Sequence, residues 1–164
     1  RALATFAGTP CAAEGDAEAV RLLALQFDTI GGRLFPIAPE GKLLYHTSFA
    51  FACAYIVTLI DTATQLCENA GLAKANALEI LQSLVRDTVE NVFTLGAERS
   101  LTGPIARGDT ALVRTQLNEL RRSAPALENV YRELGEMTVT LARSAHTAAP
   151  ENLMLLEQLL SEED

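Results

Sequence analysis

The stretch Pro39 to Ile60, PEGKLLYHTSFAFACAYIVTLI, decides how the rest of the chain is read. No charged residue occurs from Leu43 to Ile60, and Lys42 and His46 stand four positions apart at its start. Residues at that spacing share a helix face, so a cation and an imidazole are stacked at one end of an uncharged rod. A bilayer span, a dimer core and the wall of an active site would each explain the missing charge. The uncharged run only reaches the lower limit for crossing a bilayer, roughly 17 to 18 residues. It also carries His46, Thr47, Ser48 and Thr58, and continues without a break into Asp61, Thr62, Thr64 and Gln65. The pattern therefore predicts no membrane span, but a central helix buried on most sides by other helices and placed at a subunit interface.

Composition supports an ordinary globular chain. Of 164 residues, 49% are hydrophobic and 21% charged, a balance that can bury a core. The formal charge of −8 excludes nucleic acid as a partner, since phosphate contacts need a concentrated basic patch and the densest here is Arg121-Arg122. Three cysteines, Cys11, Cys53 and Cys67, lack CxxC spacing and give neither a disulfide framework nor a zinc site. On one helix Cys53 and Cys67 would stand about 21 Å apart. They are expected to be buried, reduced thiols of a cytoplasmic protein. The first residues, RALATFAGTPC, show no secretory signal, and a start at Arg1 rather than Met suggests a piece of a longer protein.

Before Pro39 the chain alternates. ALATFAG and PCAAEG read as short extended segments, and RLFPI as a further strand. Between them Asp16 is a good N-cap for a helix carrying Val20, Leu23, Phe27 and Ile30, which stops at Gly31-Gly32. Two or three strands and one helix cannot close a sheet core by themselves. After Pro39 every signal is helical. The long helix ends at Gly71, and a second runs from Lys74 to Leu95 with Leu78, Leu81, Val85, Val89 and Val92 on one face. After the loop AERSLTGPIARGD, a third helix is capped by Asp109 and carries Leu112, Val113, Leu117 and Leu120. A fourth opens at Pro125, with Leu127, Val130, Leu134, Met137 and Leu141. The tail PENLMLLEQLL reads as a docking helix before the solvated acids Ser161 to Asp164. The expected class is mainly α: an all-helical bundle over 39–164 preceded by a short residual α/β unit over 1–38.

Three constellations can carry chemistry. Lys42 can orient or protonate a substrate oxygen, with His46 as hydrogen-bond donor or proton relay; the same pair also reads as a solvated lysine and a satisfied histidine. In LTGPIARGD, glycines let backbone amides approach a ligand, and the Arg107 guanidinium suits a carboxylate or phosphate. Alternatively Asp109 caps the next helix and Arg107 pairs with it or with Glu98. Thr88 and Asn91, three apart in RDTVEN, either line the same cavity or face water. No GxGxxG, P-loop or GxSxG occurs, and with only His46 and His146 no histidine-rich metal site is possible; His146 is read as a surface residue.

FAGTPCAAEGD, RLFPI, GKLLYHTSFAFACAYIV, TVEN and LTGPIARGD, in that order, resemble the C-terminal part of Rossmann-like proteins carrying the domain of unknown function numbered 2520, DUF2520. The resemblance runs from about Thr5 to Leu141, and LTGPIARGD is its most specific stretch. The family is placed with the 6-phosphogluconate dehydrogenase C-terminal-like group, beside pyrroline-5-carboxylate reductase and ketopantoate reductase. The resemblance implies an NAD(P)-dependent oxidoreductase whose helical half forms a homodimer through the long helix and closes over a small-molecule substrate. In that group the long helix carries a lysine followed four residues later by an asparagine. The lysine is kept as Lys42, and His46 stands in the asparagine's place. The implied site is thus Lys42 and His46 as catalytic residues, with Thr88, Asn91, Thr102, Gly103, Pro104, Arg107 and Asp109 toward substrate. The nucleotide fingerprint has no counterpart here, so NAD(P) is expected in the longer protein and not on this chain alone. The competing reading is a non-catalytic helical module for dimerisation or ligand binding. A catalytic Lys42 should face a cleft, whereas an interface lysine should point to solvent or be paired.

Overall fold

The computed structural model describes residues 6–162; Ala2 to Thr5 of the first extended segment, and Glu163 and Asp164 of the acidic tail, lie outside them. The chain is mainly helical, with a small parallel sheet followed by a helical bundle, and it divides into two compact units, residues 1–77 and 78–164.

In the first unit, strand β1 (Pro10–Ala13) pairs in parallel with β2 (Arg33–Pro36), Pro10 opposite Arg33 and Ala13 opposite Pro36. Parallel strands need a crossover, and helix α1 (Ala17–Thr29) supplies it. Asp16 caps that helix as expected, its carboxylate accepting from the amides of Glu18 and Ala19. Gly31, at φ +79°, ends it where a Cβ would meet Ala7 at 3.1 Å. No residue of α1 is buried: Val20, Ala24 and Phe27 are half-buried, and Leu23 and Ile30 lie open.

A 3₁₀ turn (Pro39–Gly41) leads into α2 (Lys42–Phe49), a π turn (Ala50–Ala54) and α3 (Tyr55–Asn69), which together form one rod from Pro39 to Asn69. Gly71, at φ +96°, follows its end. This rod corrects the sequence expectation of a buried central helix. None of its most apolar 18-residue stretch is buried, and Thr64 is the buried residue of α3. The physical reason is a shortage of layers, because one helix and two short strands cannot wrap a helix of 31 residues. By length and composition alone the rod is long and apolar enough to cross a membrane. Its hydroxyls do not seek outside partners. Thr47 donates to the Leu43 carbonyl at 2.8 Å, Ser48 to Tyr45 at 2.6 Å and Thr58 to Ala54 at 3.2 Å. The cysteine expectation is corrected in part: all three thiols are free, yet Cys53 is exposed and Cys11 and Cys67 are only half-buried.

Helix α4 (Lys74–Leu95) has the expected bounds and crosses from the first unit into the second. On its expected core face Leu81 and Val85 are half-buried, whereas Leu78, Val89 and Val92 are open. The second unit continues with a one-turn helix α5 (Ala97–Ser100), which the sequence did not signal, a folded turn over 101–109, and α6 (Thr110–Ser123). A 3₁₀ turn (Pro125–Leu127), α7 (Glu128–Ala145) and α8 (Pro150–Ser161) complete it. The tail is a docking helix: Leu153, Leu156, Leu159 and Leu160 of α8 join Ile105, Val113, Leu117, Val139 and Ala142 in one core. Gly135 makes room for α8, since a Cβ there would stand 2.8 Å from a Leu160 methyl. This corrects the face expected for α7. The buried stripe runs through Gly135, Val139 and Ala142, while Val130, Leu134 and Met137 lie open. Close approach of α8 needs small residues on the inward face, so the bulkier stripe is left outside.

Candidate functional site

Ligands of parallel sheets sit beyond the carboxyl ends of the strands. In the first unit β1 runs into Glu14 and Gly15 at that edge, and β2 into Ile37 and Ala38 just before the long helix starts. The Lys42 ammonium donates to the Glu14 carboxylate, an ion pair between residues 28 apart in sequence that ties the helix start to the strand end. Both side chains retain solvent, Lys42 over more than half its surface, so the pair is worth at most about 1 kcal/mol and can exchange for another anion. An open cleft of about 480 Å³ borders Glu14, lined also by Ala13, Gly15, Val20, Arg21, Leu34 and Ile37 among others. Its walls are mostly apolar. His46 is exposed and edged by two rings, Phe49 at 6.1 Å and Tyr45 at 6.4 Å, which also meet each other edge-on at 4.8 Å.

Lys42 and His46 thus share the opening turns of one helix but keep different company: an acid from the sheet edge, and an aromatic cluster. Glu14 and the Tyr45–Phe49 pair are the members that sequence reasoning missed. The signal for Glu14 was its position, an acid near the end of the expected extended segment PCAAEG. Its partner could not be read because the contact is long-range.

In the second unit, Thr102 to Asp109 form a folded turn. The Arg107 amide reaches the carbonyls of Gly103 and Pro104 at 3.2 Å, and the Asp109 amide reaches Pro104 at 2.9 Å. Gly103 (φ +99°) and Gly108 (φ +71°) take left-handed conformations. Ile105 and Ala106 are buried, and a Cβ on Gly108 would lie 2.8 Å from that of Asn152. Two of this segment's special residues therefore serve the fold: Gly108 lets it approach α8, and Asp109 caps α6 by accepting from the Leu112 amide at 3.0 Å. Thr102 is exposed and Pro104 half-buried. The Arg107 side chain is exposed, and neither the alternative pair with Asp109 nor that with Glu98 forms. On α4, Thr88 donates to the Leu84 carbonyl at 2.8 Å, and Asn91 faces solvent.

The strongest electrostatics of this unit are structural. Arg132 donates to the Leu159 carbonyl at 2.7 Å and to that of Leu160 at 3.0 Å, closing the last turn of α8. Glu128 holds Arg132 in place and also accepts from Arg121 at 2.8 Å. Hydrogen bonding from Arg121 and then Arg132 lowers the Glu128 pKa. Tyr131 donates to Gln116 at 2.6 Å, and burial raises its phenol. His146 is exposed, at the left-handed C-cap of α7. No group of three or more metal-ligating side chains occurs among the described residues.

A parallel βαβ unit followed by a helical bundle is the architectural class. The chain belongs to the DUF2520 family, a domain of unknown function whose model matches residues 9–138. The fold is similar to that of protein TM1727 from Thermotoga maritima, known from its crystal structure, with a TM-score of 0.76 at 24% identity over 88% of this chain. The chain spans 57% of the length of that protein. A search of the curated proteins gives no match.

Proposed function

We propose that this chain is the substrate-binding and dimerising part of an NAD(P)-linked oxidoreductase of the 6-phosphogluconate dehydrogenase C-terminal-like group, related to pyrroline-5-carboxylate reductase and ketopantoate reductase. The observation that carries the reading is Lys42, brought from the start of the long helix to the acid at the carboxyl end of β1. In this reading residues 1–38 are the last elements of a nucleotide-binding domain and 39–164 form the helical part of a cytoplasmic homodimer paired through the long helix. Lys42, released from Glu14 by an anionic substrate, orients a substrate oxygen and exchanges a proton with it, and His46 assists by hydrogen bonding. Arg107, exposed on its folded turn, is the cation available to a substrate carboxylate.

The residues present here do not fit the nucleotide itself. In this reading α1 is a late helix of that domain, and the described residues include no glycine-rich first βα turn on which a pyrophosphate rests. In this reading NAD(P) is held by the longer protein, and the redox chemistry goes with it.

A second reading has its own support. Lys42 is paired and largely solvated, which also suits a non-catalytic dimerisation or ligand-binding module. Titration of NADPH and NADH into the full gene product, followed by nucleotide fluorescence, separates the two. The oxidoreductase reading expects binding of one nucleotide, and a Lys42→Ala protein that binds it unchanged but oxidises it about 10² to 10⁴ times more slowly against a panel of carbonyl acids. A gene product that binds neither nucleotide leaves the module reading.

A further inference from the structure

We propose that the cleft between α1 and β2 binds a small amphipathic carboxylic acid, its apolar body against Val20, Leu34 and Ile37 and its carboxylate on Arg21. This names a substrate class for the Lys42 site, and rests on the proposed function for the part that Lys42 plays. The cleft lies wholly within the first unit. Its volume of about 480 Å³ falls in the range of small-molecule sites, roughly 300 to 1,000 Å³.

Helix α1 shows how the sequence makes this space. Ala17, Val20, Arg21 and Ala24 stand at i, i+3, i+4 and i+7, so one stripe of the helix lines the cleft. Its two alanines are too short to fill the space shared with Leu34 and Pro36 of β2, and the gap stays open. Val20, Leu34 and Ile37 are half-buried, and each keeps apolar surface that a ligand can withdraw from water.

Charge selects the head of the ligand. Two ionisable side chains line the cleft, Glu14 and Arg21. Glu14 is already paired with Lys42, whereas the Arg21 guanidinium has no ion pair or hydrogen bond among the described residues. The lining thus carries one unpaired positive charge in a chain of net −8. A planar guanidinium beside apolar walls suits a carboxylate on an apolar body and repels an ammonium. Because Glu14 borders the same space, a ligand held by Arg21 adjoins the acid that Lys42 leaves in the proposed chemistry.

An amide-shift titration of the full gene product by NMR tests the proposal, with sodium octanoate as the probe and acetate, octylamine and octanol as comparators. No nucleotide is needed, so octanoate can bind where NADPH and NADH do not, and the reverse. Octanoate is expected to shift the amides of residues 13–24 and 34–37. It should bind at least ~10-fold more tightly than acetate, which lacks the body, or octylamine, which reverses the head. Arg21→Met keeps the stem and should weaken octanoate about tenfold while leaving octanol unchanged. Ala24→Leu fills the gap and should weaken both. Shifts that spread along the exposed long helix instead overturn the site, as does octanoate binding that Ala24→Leu leaves intact. Octylamine binding as tightly as octanoate, or Arg21→Met without effect, overturns the acid as ligand. Should Ala24→Leu fail to fold, the pattern of shifts in the unaltered protein decides.

Discussion

Leu156 on α8 and Leu25 on α1 are leucines on amphipathic helices of similar length, and they have opposite surroundings. Leu156 is fully buried in a core that draws on α6, α7, α8 and the turn at Ile105. Leu25 lies open, as do Leu22 and Leu23 beside it, and Ala77 is the buried apolar residue of the first unit. The second unit has enough layers to close on itself. The first has a two-stranded sheet, one crossover helix and a long rod, and its apolar surface points outward. A helix pattern reports which residues prefer burial, but the number of neighbouring layers decides whether burial is achieved.

The widest separation between the units should appear in paired truncations. Leu156→Ala is expected to cost about 2 to 5 kcal/mol, whereas Leu25→Ala should change the stability of this chain by less than about 0.5 kcal/mol, both read from urea unfolding. Equal effects would mean that the first unit has a core of its own. Next comes the clasp on α8. Arg132→Met keeps the stem but removes the donors from the Leu159 and Leu160 carbonyls and leaves Glu128 with Arg121 as its partner, and should cost about 2 kcal/mol. Local opening of α8, seen by hydrogen exchange, would rise accordingly.

Acid should act on the second unit through the same cluster. The folded Glu128 pKa lies below the ordinary 4.5 because of Arg121 and Arg132, and that of Glu119 does so because of Ser123 and Arg122. A depressed folded pKa means that the unfolded state takes up protons first. The stabilisation is therefore complete above the ordinary value and drains away as the pH falls through the folded ones. Melting temperatures of the second unit between pH 6 and pH 3 should show that decline, and Glu128→Gln should flatten it. The smallest effect runs the other way. His146 holds φ +53° at the C-cap of α7, so His146→Gly should raise stability by roughly 1 kcal/mol, or a few degrees in Tm.

Local signals were legible in the sequence wherever one residue decides one backbone event. Asp16 and Asp109 cap their helices, Gly71 and Gly96 follow the ends of theirs, and α4 keeps its expected bounds. Packing was less legible. On α7 the large apolar residues looked like the core, yet α8 docks against Gly135 and Ala142, whose value lies in being small. The site divides in the same way. Lys42 and His46 were visible as an i, i+4 pair, and Asp109 as a cap. The Glu14 contact was invisible because it depends on how a strand end and a helix start meet.

The π turn at Ala50–Ala54 fixes one more property of the long helix. There the Tyr55 amide reaches back five residues to the Ala50 carbonyl instead of four. One residue is accommodated without extending the hydrogen-bonded ladder, so the segments on either side keep a common phase. Deleting Ala52 would let the ladder revert to α geometry and leave the upstream and downstream faces close to their present phase, because the residue removed is the one that the wide turn absorbs. The Lys42–Glu14 pair lies wholly upstream of Ala52 and would be kept. The π turn is thus the place where the rod tolerates a change of length, whereas a deletion within α3 would turn its two ends against each other by about 100°.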